Sequence, residues 1–408
     1  MDREDSILYE LRERVLGKLE YLEDVTDTEL KQIIDEELRE LSHRDHISIK
    51  DRAQLSKQIF HSMRKLDVIQ EFLEDPGITE IMVNGPNCIF LERAGRLYQS
   101  EKKFESEEAL YNVIQHIVGK CNRVVNETAP IVDARLESGE RVNVVLNPIA
   151  LNGPILTIRR FPERPYLMDD LINIGSLNEE TAIFLKKLVK AGYNIIVSGG
   201  TGSGKTTFLN ALSAYIPSDE RIITIEDSAE LQIQGIENLV RMETKNANIV
   251  GGQPITIRDL IKTSLRMRPD RIIVGEVRGA EAMDMICSAM NCGHDGSMST
   301  VHANSAKDSI SRLETMILTA ANLPVHAIRR QIGSGVDIVI QLGRMRDKTR
   351  KVLEIVELME DENSDIRVNP LYKFVETTGV GTERVVGELR KVGELVNANK
   401  LAAAGIVT

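Results

Sequence analysis

The run from Asn194 to Leu209, NIIVSGGTGSGKTTFL, constrains this chain more than any other stretch. A short apolar strand, Ile195-Ile196-Val197, leads into Gly199-Gly200-Thr201-Gly202-Ser203-Gly204-Lys205-Thr206, which fits the phosphate-loop pattern G-x-x-x-x-G-K-[ST]. A helical pattern carrying Phe208, Leu209 and Leu212 follows. Glycines let successive backbone N–H groups turn inward around phosphate, and the start of the helix adds the positive end of its dipole. Lys205 is expected to reach the β- and γ-phosphates, and the Thr206 hydroxyl to complete the shell of a Mg²⁺ ion. The nucleotide-contacting set is Gly199 through Thr207, and the ligand expected is a nucleoside triphosphate with Mg²⁺. A Gly/Ser/Thr turn without a ligand is the alternative, and the strand before it and helix after it argue against that.

The flanking sequence divides by texture. Leu8, Leu11, Val15 and Leu19, then Leu30, Ile33/Ile34, Leu38 and Leu41, then Leu55, Ile59, Met63 and Leu66 recur at helical spacing, and Thr26-x-x-Glu29 has capping-box form. Residues 1–62 are therefore expected to form a helical bundle with solvated, charge-rich outer faces. Residues 63–160 read as a compact α+β domain, with strands at Glu80–Val83, Cys88–Leu91, Leu97–Gln99, Ile131–Leu136 and Arg141–Leu146 and a helix from about Ser106. Asn84-Gly85, Ala94-Gly95 and Ser138-Gly139 supply its turns. Phe161-Pro162-Glu163-Arg164-Pro165 breaks both periods and opens an interdomain linker over 161–175.

From 176 to 378, short buried strands alternate with helices, the signature of an α/β fold with a parallel sheet, here a RecA-like core. Helices are expected at Glu179–Lys190, Asp259–Met267, Ala280–Met290 and Ile310–Leu318. Val336–Gln341 and Val352–Leu358, on either side of the charged turn Arg344–Lys351, read as closing antiparallel strands. Residues 379–408 hold only a weak helical pattern.

Hydrolysis needs carboxylates at the ends of neighbouring strands, and two runs supply them. Ile222–Ile225 ends in Glu226-Asp227-Ser228-Ala229-Glu230, and Arg271–Val274 ends in Gly275-Glu276. Glycine stands where a Walker B strand usually carries aspartate, so Glu276 must serve the magnesium shell or the attacking water, with Glu230 the competing general base. Gly293–Asn304 holds His294 and His302 around a strand. A histidine near a γ-phosphate can report its loss, whereas His294 by itself reads as structural. Arg135, Arg141, Arg159 and Arg160 sit on or near the last strands of the α+β domain, where arginine can reach phosphate as a charge clamp.

Taken together, these boxes resemble the secretion-ATPase superfamily of type II and type IV secretion and type IV pili. Thr224–Leu231 resembles its Asp box, Leu265–Gly279 its atypical Walker B and Gly293–Asn304 its His box. Thr79–Gly85, Asp133–Leu136 and Arg141–Asn143 resemble the N-terminal domain of the CpaF-like, Tad/Flp-pilus branch. The resemblance implies a PAS-like type for the α+β domain of residues 63–160 and a homohexameric ring with Mg-ATP between two domains, driving an inner-membrane platform protein. It assigns phosphate contact to Lys205 and the metal to Thr206 and Glu276. Glu230 and Glu276 become the acid pair, His302 the sensor, and Arg135 and Arg141, with Arg159 or Arg160, the reaching arginines.

Composition weighs on the rivals. A net charge of −11, 4% aromatic residues and no tryptophan leave few footholds for a RecA-like nucleic-acid motor, so no direct nucleic-acid partner is expected. No apolar run approaches the roughly 20 residues that span a bilayer. The expected location is the cytoplasm, at the inner membrane only through partners. Cys88, Cys121, Cys287 and Cys292 form no zinc or disulfide pattern and read as reduced, mostly buried thiols. A conjugation-type traffic ATPase shares every box but usually lacks so long an N-terminal extension, and a non-catalytic nucleotide-gated scaffold is a further alternative.

Overall fold

The computed structural model describes residues 3–19, 25–93, 95–121, 123–136, 138–161, 164–245, 253–360, 365–377 and 382–407. Ala94 of one expected turn, Pro162 and Glu163 of the linker and the start of the tail at 379 lie outside them. Contacts divide the chain into two units, Met1–Pro162 and Glu163–Thr408.

The first unit opens with α1 (Arg3–Leu19), α2 (Asp27–Asp45) and α3 (Ile49–Arg64). Their apolar stripes meet in a core of Leu11, Val15, Leu30, Ile34, Leu38, Leu41, Leu55, Ile59 and Phe60. The capping box is present: Thr26 Oγ1 accepts from the Glu29 amide at 3.3 Å, and the Glu29 carboxylate accepts from the Thr26 amide at 2.8 Å. After α4 (Val68–Glu74) come β1 (Ile78–Asn84), β2 (Ile89–Arg93), β3 (Arg96–Gln99), α5 (Glu107–Lys120), β4 (Ile131–Arg135), β5 (Arg141–Val145) and β6 (Ile155–Arg159). The strands form one antiparallel sheet in the order β3-β2-β1-β6-β5-β4, and α5 buries Leu110, Val113, Ile114, Ile117 and Val118 in the core it shares with the sheet.

The second unit begins with α6 (Met168–Asn173), α7 (Glu179–Lys190), β7 (Ile195–Gly199), α8 (Lys205–Ser213), β8 (Ile222–Glu226) and β9 (Leu239–Glu243). It continues with α9 (Ile257–Ser264), β10 (Arg271–Val277), α10 (Glu281–Met283) running into a π-helical turn over Asp284–Met290, β11 (Met298–Val301), α11 (Ala306–Ala320) and α12 (Val325–Gly335). The unit ends with β12 (Ile338–Arg344), β13 (Arg350–Glu360), β14 (Ile366–Glu376), β15 (Gly387–Lys391) and α13 (Asn399–Ala403). The sheet order is β15-β14-β13-β12-β7-β11-β10-β8-β9, parallel from β12 to β9 and antiparallel beyond β12. Helices cover both faces: α6, α7, α8 and α13 on one side, and α9, α10, α11 and α12 on the other. β7 and β8 are buried at every position, which is why they read as continuous apolar runs.

Several expectations are corrected. β12 pairs antiparallel with β13 as expected, but on its other edge it is parallel to β7 and so belongs to the parallel core. β14 and β15 extend the sheet where the sequence offered no strand, and β15 lies inside the stretch read as weakly helical. The helix expected over Ala280–Met290 is α-helical only to Met283. The cysteines are not mostly buried: Cys88, Cys121 and Cys287 are half-buried and Cys292 is exposed. Among the described residues no helix is long and apolar enough to cross a membrane.

Candidate active site at the phosphate loop

The loop leaves the carboxyl end of β7, flanked by β11 and β12, and enters α8. Gly202 and Gly204 take φ of +70° and +91°, the left-handed region in which a side chain is strained. Gly204 is also the N-cap of α8 and offers no side-chain acceptor, so the first amides of the helix are left to an external anion. The Gly200 carbonyl accepts from the Ser203 amide at 3.3 Å, Ser203 Oγ at 2.8 Å and Lys205 Nζ at 3.2 Å. Lys205 is 8% exposed, its ammonium folded back on the loop it serves. Thr206 and Thr207 are half-buried on the first turn of α8.

From Lys205 a chain of polar groups crosses to the neighbouring strands. Lys205 Nζ lies 3.2 Å from His302 Nε2 and 3.4 Å from Nδ1, at the end of β11. His302 Nε2 lies 2.9 Å from Glu276 Oε1, and Arg278 donates to Glu276 Oε2 through Nε at 2.9 Å and Nη2 at 2.6 Å. Arg278 Nη1 is also 3.8 Å from Asp227 Oδ2, and Glu230 lies within electrostatic reach of the same guanidinium. Burial pulls the His302 pKa below its usual value; Glu276 opposes that shift, and Lys205 adds to it. A neutral imidazole between an ammonium and a carboxylate can answer to both, which suits it to register whether Lys205 has moved.

Glu226, at the end of β8, carries a role the sequence reading did not assign. It is 3% exposed, and its Oε1 accepts from the Glu230 and Leu231 amides, both at 2.9 Å. Burial pushes its pKa up to about 7 against the pull of those two N–H groups. A Cβ on Gly275 would stand 3.0 Å from Glu226 Cγ. An acid in the usual Walker B place would press on Glu226, whose side chain would have to give by a few tenths of an ångström. The signal in the sequence was the acid that closes β8 itself. Arg278 was likewise passed over, although it follows Glu276 by two residues.

Seven buried side-chain atoms among the described residues have no hydrogen-bond partner. Five of them, Ser198 Oγ, Thr224 Oγ1, Glu226 Oε2, Glu276 Oε1 and Gln341 Oε1, sit on strands converging at the loop. Glu276 Oε1 is among them although His302 Nε2 lies 2.9 Å away. Buried polar atoms are rarely left unsatisfied, so this concentration marks a place built for a polar ligand. Acceptor oxygens at Glu276 and Thr206 are the donor set a Mg²⁺ ion takes.

In the first unit, strand register pairs Arg135 with Arg141, Arg141 with Arg159 and Arg159 with Glu80. Three arginines therefore stand in a row on one face of the sheet, with Glu80 opposite the last of them. Arg135 Nε donates to Gly139 O at 2.9 Å. Arg160 is outside the row: Nη1 donates to the carbonyls of Asp75 and Ile78, the latter at 3.1 Å, which commits it to the backbone before and at the start of β1. His294 packs at the foot of β11 with Nδ1 3.0 Å from Pro269 O, as a structural residue does.

Residues 62–393 match the family of the type II/IV secretion system protein. The uncharacterized protein MJ0781 of Methanocaldococcus jannaschii is 40% identical over 275 residues, covering 65% of this chain; the chain spans only 37% of that protein's length. The conjugal transfer protein TrbB of Rhizobium radiobacter is 33% identical over 312 residues, 76% of this chain and 92% of TrbB. Among solved structures, the pilus retraction motor PilT with bound ADP superposes with a TM-score of 0.52 at 19% identity, covering 84% of this chain and 86% of PilT, a likeness of fold.

Proposed function

The chain belongs to the type II/IV secretion system protein family, and from that premise we propose that this P-loop ATPase is the motor of a conjugation-type type IV secretion apparatus. The observation that carries the ATPase chemistry is the continuous chain Lys205, His302, Glu276, Arg278 beside the phosphate loop. The kinship with TrbB, a conjugal transfer protein matched over 92% of its length, supports the choice of apparatus. In this reading the motor is a homohexamer at the cytoplasmic face of the inner membrane, acting on a platform protein there.

Thr206 and Glu276 would hold Mg²⁺, which when bound neutralises charge on the β- and γ-phosphate oxygens. Lys205 leaves Gly200 O and His302 to take a phosphate oxygen, and His302 keeps its 2.9 Å proximity to Glu276. Glu276 already has a cation and an imidazole on its oxygens, the setting of a carboxylate that faces charge. The proton of the attacking water therefore goes to Glu230, on the segment that Glu226 pins. Arg135 and Arg141, with Arg159, are proposed to contact phosphate from the first unit. Two substitutions test the scheme. Lys205→Ala should abolish ATP turnover and weaken ATP binding. Glu230→Gln should keep binding while turnover falls on the order of 10²–10⁴-fold; full turnover in that variant would remove Glu230 from the role.

A Tad/Flp-type pilus motor is the second reading. It is favoured by the helical bundle α1–α3, which has a core of its own and, apart from the end of α3, precedes residue 62, where the family match begins. Co-purification separates the two: a prepilin-linked platform protein points to the pilus, a conjugation-type platform to transfer. Single-stranded DNA that stimulates turnover at low salt and not at high salt would favour a nucleic-acid motor instead.

A further inference from the structure

The acids and His302 approach the phosphate loop from β11, β10 and β8, but the other flank is also built. β12 runs beside β7, with Leu342 opposite Gly199, and the hairpin into β13 returns with Arg344 paired to Arg350. Arg350 Nε donates to Gly202 O at 3.0 Å, and a Cβ on Gly204 would stand 3.4 Å from Arg350 Cδ. A Cβ on Gly202 would stand 3.6 Å from Arg344 Nη1. Two other basic residues of this turn face elsewhere. Arg346 donates to Glu376 Oε2 at 3.0 Å and to Thr382 O at 2.6 Å, and Lys351 to Gly175 O at 2.5 Å. Both arginines are exposed, and both lie against the left-handed glycines of the loop.

We propose that the β12–β13 hairpin is part of the nucleotide site. Arg350 holds the loop open through the Gly202 carbonyl, and Arg344 and Arg350 together lend positive charge to the phosphates of a bound nucleoside di- or triphosphate. A trans peptide sets its C=O and N–H in opposite directions, so pinning Gly202 O toward Arg350 turns the Ser203 N–H into the hollow. There it makes a 3.3 Å bond to Gly200 O, long enough to yield to a phosphate oxygen. The arginines sit at the Gly202 end of the loop rather than at Glu276 and His302, so they act on ground-state binding of ADP and ATP alike. This rests on the reading that the loop binds nucleotide.

The test is calorimetric binding of ADP and of Mg-ATP to the full chain at about 50 mM salt, where exposed charges are weakly screened. Arg344→Ala/Arg350→Ala should weaken both ligands roughly tenfold, with a melting curve like that of the parent. Arg346→Ala should bind within about twofold of the parent, a change of only ~0.4 kcal/mol. Arg350→Lys keeps the charge without the Nε donor and should recover only part of the affinity. Double-variant affinity within twofold of the parent, or a loss confined to turnover, would overturn the proposal, and full recovery by lysine would refute the Gly202 clamp. If the parent chain binds neither nucleotide, the nucleotide reading itself fails and this proposal falls with it.

Discussion

Replacing Glu226 by glutamine should make the nucleotide-free protein more stable at pH 8 and leave it nearly unchanged at pH 5. Glu226 is 3% exposed, and burial raises its pKa from 4.5 to about 7. A carboxyl raised in the folded state binds more protons folded than unfolded between those two values. Its cost is therefore absent below about pH 4.5, grows as pH rises, and is complete above about pH 7. A shift of about 2.5 units is worth ~3 kcal/mol at 1.36 kcal/mol per unit. Glutamine keeps an oxygen for the Glu230 and Leu231 amides, removes the charge and so removes this cost. At roughly 2–4 °C per kcal/mol for a unit of this size, Glu226→Gln should melt about 6–12 °C above the parent at pH 8. Alanine is the contrast. It strands the buried Leu231 N–H at ~1–3 kcal/mol and the half-buried Glu230 N–H at less, and should destabilise at every pH. Differential scanning calorimetry of the nucleotide-free full chain from pH 5 to 8.5 reads all three proteins. Parallel pH profiles for Glu226→Gln and the parent would refute the reasoning, because they would mean that Glu226 is ionised at no cost in the fold.

Two further outcomes follow from contacts around the same sheet. Gly275→Asp puts a side chain 3.0 Å from Glu226 Cγ, so it should displace Glu276 by a fraction of an ångström to an ångström. Turnover should then fall on the order of 100-fold with ADP affinity nearly unchanged, as steady-state kinetics and calorimetry would show. Lys400→Ala removes the 2.7 Å partner of both Asp295 and the mostly buried Asp337, whose carboxyl burial already holds above its usual pKa. The loss should be about 2–3 kcal/mol, and amide exchange should rise in the His294–Ser297 turn that Asp295 belongs to.

What was legible in the sequence is what a single stretch determines. The phosphate loop could be read because its glycines occupy backbone conformations that other residues avoid, and Gly202 and Gly204 do so. The parallel strands could be read because burial on both faces removes the polar alternation from the run, as in Ile222–Ile225, where Thr224 is the one polar residue. Glu226 could not be assigned because its role is made across strands, by Gly275 on β10 and by amides four and five residues ahead. β14 was passed over for a different reason. It carries Pro370, which argues against a strand, and the sheet takes it at a register shift opposite Ile355 and Val356. Arg344 and Arg350 looked like any charged turn, since nothing local says that the turn folds back over Gly202.

The tail offered the sequence reading nothing, yet it closes a circuit around β7. Asn194, at the foot of that strand, is buried with every polar group engaged. Its Oδ1 accepts from the Gly296 and Ser297 amides, its Nδ2 donates to Met290 O and Gly335 O, and its amide donates to Asp337 Oδ2. Lys400 joins Asp337 to Asp295, and Glu357 holds the Val396 and Asn397 amides, so the tail locks the same corner. β11 is thereby fixed to β7 at its amino end, through Asn194 and Ser297, while at its carboxyl end it pairs with β7 and β10 and carries the Lys205–His302 contact. If Lys205 leaves His302 for a phosphate, as proposed above, the contacts that change are those of His302 and, through it, of Glu276 and Arg278. Arg278 is the exposed member of that chain, which makes it the point where a change at the loop first reaches the surface.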